Sequence, residues 1–353
     1  MGAKQTVYQA MRQAGFSRRD FLKFCTVTAA MMGLSPALYG KVAQALETRR
    51  RPSLIWLPFQ ECTGCTESLT RTNSPAIGDL VLDHISLDYS ETLQAASGHQ
   101  AEQARAAAMK ENWGQYILAI DGSVSTADGG IHTVLAGRTA LDILKEAAEG
   151  AAAVVAIGSC ASFGGLPAAS PNPTNAKAIS ELIGKPVINV PGCPPIGDVI
   201  TGVVTYVLTF GKLPELDDLN RPTAFYGQRI HDRCYRRPFY DKGLFARGFD
   251  DAGAKAGHCL FQMGCKGPVT YNACATMKWN QGTSWPVQSG HGCLGCSEPN
   301  FWDNGSFYAA LSTGTDSTFK GIGIAAAAAA GVAAGAAMAF QARAARNKAQ
   351  KGE

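Results

Sequence analysis

The sequence predicts an α/β fold: a doubly wound parallel sheet, then an irregular cysteine-rich region, then one apolar helix near the carboxyl end. Three observations lead there. Five short apolar runs alternate with helix-patterned segments between residues 52 and 200. After residue 210 regular periodicity is scarce, and Gly, Pro, Arg and Cys become frequent. Near the end, an uncharged run of twenty residues precedes a basic tail. Strands alternating with helices argue for a parallel sheet covered on both faces.

The elements follow in chain order. Residues 1–45 read as an export signal. "SRRDFLKF" sets Arg18 and Arg19 before the weakly apolar "CTVTAAMMGLSPALYG", and Ala43-x-Ala45 suits cleavage after Ala45. The paired arginines, with Phe21 and Leu22, resemble the twin-arginine signal of proteins exported already folded, often with cofactors inside. A basic amphipathic helix is the alternative. Residues 46–210 form the sheet domain. Its strands are expected at "LIWLPF" (54–59), "HISLDY" (84–89), "YILAIDG" (116–122), "AVVAIGSC" (153–160) and "PVINVPGC" (186–193). "HQAEQARAAAMKE" and "RTALDILKEAAEGA" read as helices between them. The sheet resembles that of flavodoxin. Chemistry in such sheets sits at the carboxyl ends of strands. Cys62 and Cys65 follow the first strand, Cys160 ends the fourth and Cys193 the fifth, so four cysteines distant in sequence would meet at one edge. "GSVSTADGG" (122–130) lacks the G-x-G-x-x-G pattern, and no nucleotide or flavin site follows from it.

Residues 211–312 cannot build a large apolar core and need a staple: disulfides, zinc or clusters. Residues 321–340, "GIGIAAAAAAGVAAGAAMAF", are long enough to span ~30 Å of hydrocarbon at ~1.5 Å per residue. Gly321, Ala325, Ala329 and Ala333 form a small-residue stripe suited to packing on another helix. Arg343, Arg346, Lys348 and Lys351 in the tail 341–353 place that end in the cytoplasm and the body on the periplasmic face of the inner membrane. A soluble Ala-rich helix is the alternative reading.

The formal net charge of +4 is concentrated at the two ends. Without residues 1–45 and 341–353, 22 basic and 26 acidic residues remain. A nucleic-acid partner is excluded, because phosphate binding needs a basic surface.

Eleven cysteines are present, and Cys25 lies in the signal. Ten in an exported chain would ordinarily mean disulfides. Three features favour a bound inorganic group instead. Four cysteines sit at strand ends of one sheet. His231 stands three residues before Cys234. Cys193 precedes Pro194, a pair frequent in cluster-binding loops. Soft thiolates suit zinc or iron–sulfur clusters, and spacing alone does not assign the partners.

"ECTGCTES", "IGSCASFGG", "VPGCPP", "RIHDRCYRRPFYDKG", "MGCKGPVTYNAC" and "WPVQSGHGCLGCSEPNFWD", in this order, resemble the small subunit of membrane-bound uptake nickel–iron hydrogenases. The resemblance covers nearly all of residues 17–340. It implies a proximal 4Fe–4S cluster on Cys62, Cys65, Cys160 and Cys193. It implies a medial 3Fe–4S cluster on Cys274, Cys293 and Cys296, with Pro286 near the corner that lacks a thiolate. It implies a distal 4Fe–4S cluster on His231, Cys234, Cys259 and Cys265. The catalytic nickel–iron centre would lie in a large-subunit partner, with no catalytic residue in this chain. Electrons from H2 would pass to a membrane cytochrome b and quinone. Oxygen-tolerant relatives carry extra cysteines at the positions of Gly64 and Gly165. Their absence implies a standard proximal cluster and inhibition by oxygen.

Other residues carry open alternatives. Glu61 beside Cys62 is a candidate proton relay or an ordinary acid at a helix start. His99 reads better as a core histidine than as a contact to the large subunit. His291 is a candidate hydrogen-bond partner near Cys293. Arg233, Arg236 and Arg237 could dock a redox partner, stabilise cluster charge, or form a solvated basic loop. A complex-I-like subunit with one cluster is a rival that leaves the cysteines after residue 230 unexplained.

Overall fold

The computed structural model describes residues 6–13, 15–31, 35–48, 51–73, 76–81 and 85–311. Its centre is a five-stranded, all-parallel sheet: β1 (Ser53–Pro58), β2 (Ser86–Ser90), β3 (Ile117–Asp121), β4 (Ala153–Ile157) and β5 (Val187–Val190). The spatial order is β2-β1-β3-β4-β5. This is the flavodoxin order, whose switch point lies between β1 and β3.

β1, β3, β4 and β5 are buried at every residue. They read as unbroken apolar runs for that reason: helices cover both faces of the sheet. Alternate residues feed two cores. Leu54, Trp56, Ile117, Ala119, Val155 and Ile157 face one, with Val199 and Val203 of the helix Gly197–Phe210. Ile55, Leu57, Leu118, Ile120, Val154 and Ala156 face the other, with Ile143 and Leu144 of the helix Ala140–Glu149. Thr139 caps that second helix by accepting from the Asp142 N–H at 3.2 Å. The first core continues into Phe225, Tyr226, Leu260, Trp285 and Val287, so the loop-rich region packs on the sheet domain. Residues up to Ala309 belong to one compact unit.

Two strand ends are shorter than expected. The fourth strand stops at Ile157, because Gly158 turns the chain (φ +83°) into the short helix Gly158–Phe163. The fifth stops at Val190, three residues before Cys193. Both changes place the cysteines in the turns beyond the sheet edge.

Residues of the expected export signal are helical at Val7–Gln13, Arg18–Met31 and Tyr39–Thr48. Val7, Met11, Phe21, Cys25 and Val42 form a small apolar cluster against which Phe210 packs. Arg18 and Arg19 remain exposed.

The expected C-terminal transmembrane helix requires correction. No helix among the described residues is long and apolar enough to cross a membrane. The run 321–340 and the tail 341–353 lie outside the described residues. The run is built chiefly of alanine and glycine, which are only weakly apolar.

Candidate iron–sulfur sites

The carboxyl edge of the sheet carries the first donor set. Cys62 lies in the turn after β1, and Cys65 one helical turn on, in the helix Gly64–Thr70. Cys160 sits in the helix after β4, and Cys193 in the loop after β5, before a cis peptide bond to Pro194. Glycines make room around these thiols. A Cβ on Gly158 would lie 2.4 Å from Cys65 Sγ, and one on Gly165 would lie 2.8 Å from Cys160 Sγ. A Cβ on Gly64 would lie 3.1 Å from Cys62 Sγ. The four cysteines are electrostatic neighbours. The Cys65 thiol is held well above its ordinary range, first by burial, then by Asp121, Cys160 and Cys193. Burial pushes Cys160 up to about 12 and raises Cys193.

One buried and one half-buried carboxyl adjoin this set. Asp121, at the end of β3, is fully buried and pushed up to about 7, first by burial and then by Glu61. Its Oδ2 accepts from Thr66 Oγ1 at 3.3 Å, while Oδ1 is buried without a partner. Glu61 is raised by burial; its Oε1 accepts from Thr63 Oγ1 at 3.2 Å, and Oε2 has no partner. Glu61 is therefore not an ordinary solvated acid. Asp121 escaped the sequence reading, although an acid closing an apolar strand at this edge was the available signal.

The second set lies in the loop-rich region. Cys274 and Cys293 are buried and Cys296 is half-buried. Burial, and then neighbouring thiols, raise Cys274 and Cys293, and burial pushes Cys296 up to about 12. Pro286 follows buried Trp285, and its carbonyl accepts from His291 N at 2.9 Å. His291 bonds the carbonyl of Gly292 through Nδ1 and stacks with Phe249, so its partners are not the Cys293 thiol.

The third set lines a single recess: His231, Cys234, Cys259 and Cys265, with Arg236 and Arg237 at its wall. The His231 ring packs edge-on against Tyr240 at 4.5 Å. Burial, and then Arg237, lower its pKa, which favours the neutral imidazole a metal ligand requires. Burial pushes Cys234 up to about 11, opposed by a hydrogen bond from Arg236 N to Cys234 Sγ at 3.4 Å. The three arginines separate into distinct environments. Arg236 is buried and donates to His258 O, while Arg237 pairs with Asp241 and Asp232. Arg233 is exposed and donates to Gln228. His99 is exposed, contrary to the expectation of a core histidine.

All eleven cysteines are free thiols. Among the described residues, no three His, Cys, Asp or Glu side chains are grouped to hold a single metal ion. The donors fit iron–sulfur clusters in their chemistry. Soft sulfurs are clustered, and their pKa values are raised by burial, so they become thiolates when iron displaces their protons. Glycines keep the space beside them clear of Cβ atoms.

Sheet order and donor sets together define a class: a redox subunit built to hold iron–sulfur clusters. Residues 226–309 match the family described as NiFe/NiFeSe hydrogenase small subunit, C-terminal. Residues 62–207 match the family described as NADH ubiquinone oxidoreductase, 20 Kd subunit. The uptake hydrogenase small subunit of Azotobacter vinelandii is 53% identical over 314 residues, 89% of this chain and 88% of that one. That of Bradyrhizobium diazoefficiens is 50% identical over 345 residues, 96% of this chain and 94% of that one. The solved structure of the NiFeSe hydrogenase of Desulfomicrobium baculatum superposes with a TM-score of 0.70 at 34% identity, over 74% of this chain and 100% of that chain. The chain belongs to the small-subunit family of the nickel–iron hydrogenases. It is the electron-transfer subunit of such an enzyme; it pairs with a large subunit, on which the catalytic centre lies. The complex-I-like match stops at residue 207, which leaves the later cysteines to the hydrogenase family.

Proposed function

We propose that the three donor sets form one electron path from the large subunit's nickel–iron centre toward an acceptor outside the pair. In this reading Cys62, Cys65, Cys160 and Cys193 hold a proximal 4Fe–4S cluster. Cys274, Cys293 and Cys296 hold a medial 3Fe–4S cluster, with Pro286 beside the corner lacking a thiolate. His231, Cys234, Cys259 and Cys265 hold a distal 4Fe–4S cluster. When bound, such clusters each carry one electron at a time.

One observation carries the order. Cys293 N donates to Cys265 Sγ at 3.3 Å, and the Ser159 hydroxyl, beside Cys160, links Gly192 N, beside Cys193, to the carbonyl of Cys296. The set of three thus adjoins the first set near Cys296 and the third at Cys293. Around these positions the chain's own groups act on charge. Backbone N–H groups partly neutralise the thiolates, and neutral His231 contributes less negative charge than a fourth thiolate would.

The proposed acceptor is a membrane cytochrome b that feeds quinone. The proposed route to the periplasmic side is the twin-arginine signal in residues 1–45. The domain division at residue 210 follows the same reading. Gly64 and Gly165 stand where oxygen-tolerant relatives carry cysteines, so the enzyme is expected to be inhibited by oxygen; sustained H2 oxidation in air would contradict this. The site assignment is tested by iron and acid-labile sulfide analysis of the purified heterodimer. About 11 cluster irons are expected. Paired thiols without iron would overturn it.

A further inference from the structure

Ser159 is the residue before Cys160 and is almost wholly buried. Its hydroxyl makes two hydrogen bonds whose directions are fixed by chemistry. Gly192 N can only donate, and it donates to Ser159 Oγ at 3.0 Å. The hydroxyl proton is then free for the carbonyl of Cys296, which Oγ also contacts. Ser159 N in turn donates to Gly192 O at 2.9 Å. One side chain therefore ties three segments together: the turn bearing Cys160, the loop bearing Cys193, and Cys296, 137 residues away in sequence.

The consequence falls on Cys296. Held by its carbonyl, this residue lies beside the loop bearing Cys193, whose Gly192 N–H shares the same hydroxyl. We propose that Ser159 is a positioning residue that seats Cys296 against the Cys193 loop and so sets the proximal-to-medial junction. The proposal rests on the ligand assignment given above. Ser159 touches neither sulfur; it acts through the backbone of the two ligand loops. Alanine at this position would remove both hydrogen bonds and leave the Gly192 N–H and Cys296 carbonyl without that partner, whereas threonine keeps the hydroxyl.

The test compares wild-type heterodimer with Ser159→Ala and Ser159→Thr by EPR under redox control, together with iron release to a chelator. In the alanine variant the medial three-iron signal is expected to change shape and midpoint potential. Medial iron should be lost about tenfold faster, the equivalent of one buried hydrogen bond. Proximal and distal signals should persist, and threonine should restore the medial signal. An unchanged medial signal, potential and release rate in Ser159→Ala would overturn the proposal. So would equal disturbance of all three clusters in both variants, which would make Ser159 a general folding residue. Failure of the ligand assignment is distinguished at the outset, because the wild type itself would then lack a three-iron signal.

Discussion

At Gly165 the backbone is left-handed (φ +54°), and a Cβ would lie 2.7 Å from the backbone of Cys160. Both faults fall on rigid atoms. Gly165→Ala is expected to destabilise the subunit by about 2–4 kcal/mol, with proximal iron lost first. Thermal unfolding with iron analysis checks this, and an unchanged midpoint and iron content would contradict it. Gly64→Ala should cost less, since Gly64 has no left-handed constraint and meets one sulfur at 3.1 Å. A cysteine at position 165 alone is therefore expected to damage the site rather than to add a ligand.

Asp121 makes a pH-dependent contribution. Burial, then Glu61, raises its carboxyl from 3.8 to about 7, so the folded chain binds a proton the unfolded chain releases. Its stabilising effect is complete below pH ~4 and is lost as pH rises through ~7. The span is at most about 4 kcal/mol. Asp121→Asn should flatten the pH dependence of thermal stability between those limits; an unaltered slope would contradict the assignment. The cysteines were legible in the sequence because residue type and short spacing are local properties. Ser159 and Arg221 were not, because partners of theirs stand 137 and 77 residues away.

The four fully buried strands were legible as apolar runs, since burial on both faces leaves no polar positions to interrupt the pattern. Their ends were less so, because Gly158 breaks the fourth run while its neighbours stay small and apolar. The loop-rich region has no period to read; side chains reaching back to the sheet domain order it. Tyr226 is one such tie, its hydroxyl donating to Pro191 O at 2.8 Å, whereas Arg221 ties the loop-rich region to itself. The Arg221 side chain is 4% exposed, pairs with Asp217 at 2.8 Å and Glu298 at 3.0 Å, and donates to Ser297 O. Glu298 Oε1 also accepts from Tyr271 N. Arg221→Met would leave two part-buried carboxylates without their cation, at a cost of about 2–3 kcal/mol. Thermal unfolding should show that loss, with medial iron released before proximal iron. An unaltered midpoint would show that this tie is dispensable.

For the whole molecule, the flavodoxin-like order followed from strand–helix alternation, and the family followed from the ordered cysteine segments. The terminal run 321–340 lies outside the described residues, and among those residues no helix is long and apolar enough to cross a membrane. The central claim is spatial: the set of three thiols stands between the two sets of four donors. EPR of the purified heterodimer under stepwise potential control tests it most directly. The account predicts a three-iron signal that is broadened when either neighbouring cluster becomes paramagnetic. A three-iron signal indifferent to both neighbours, or no such signal in a fully iron-loaded enzyme, would contradict it.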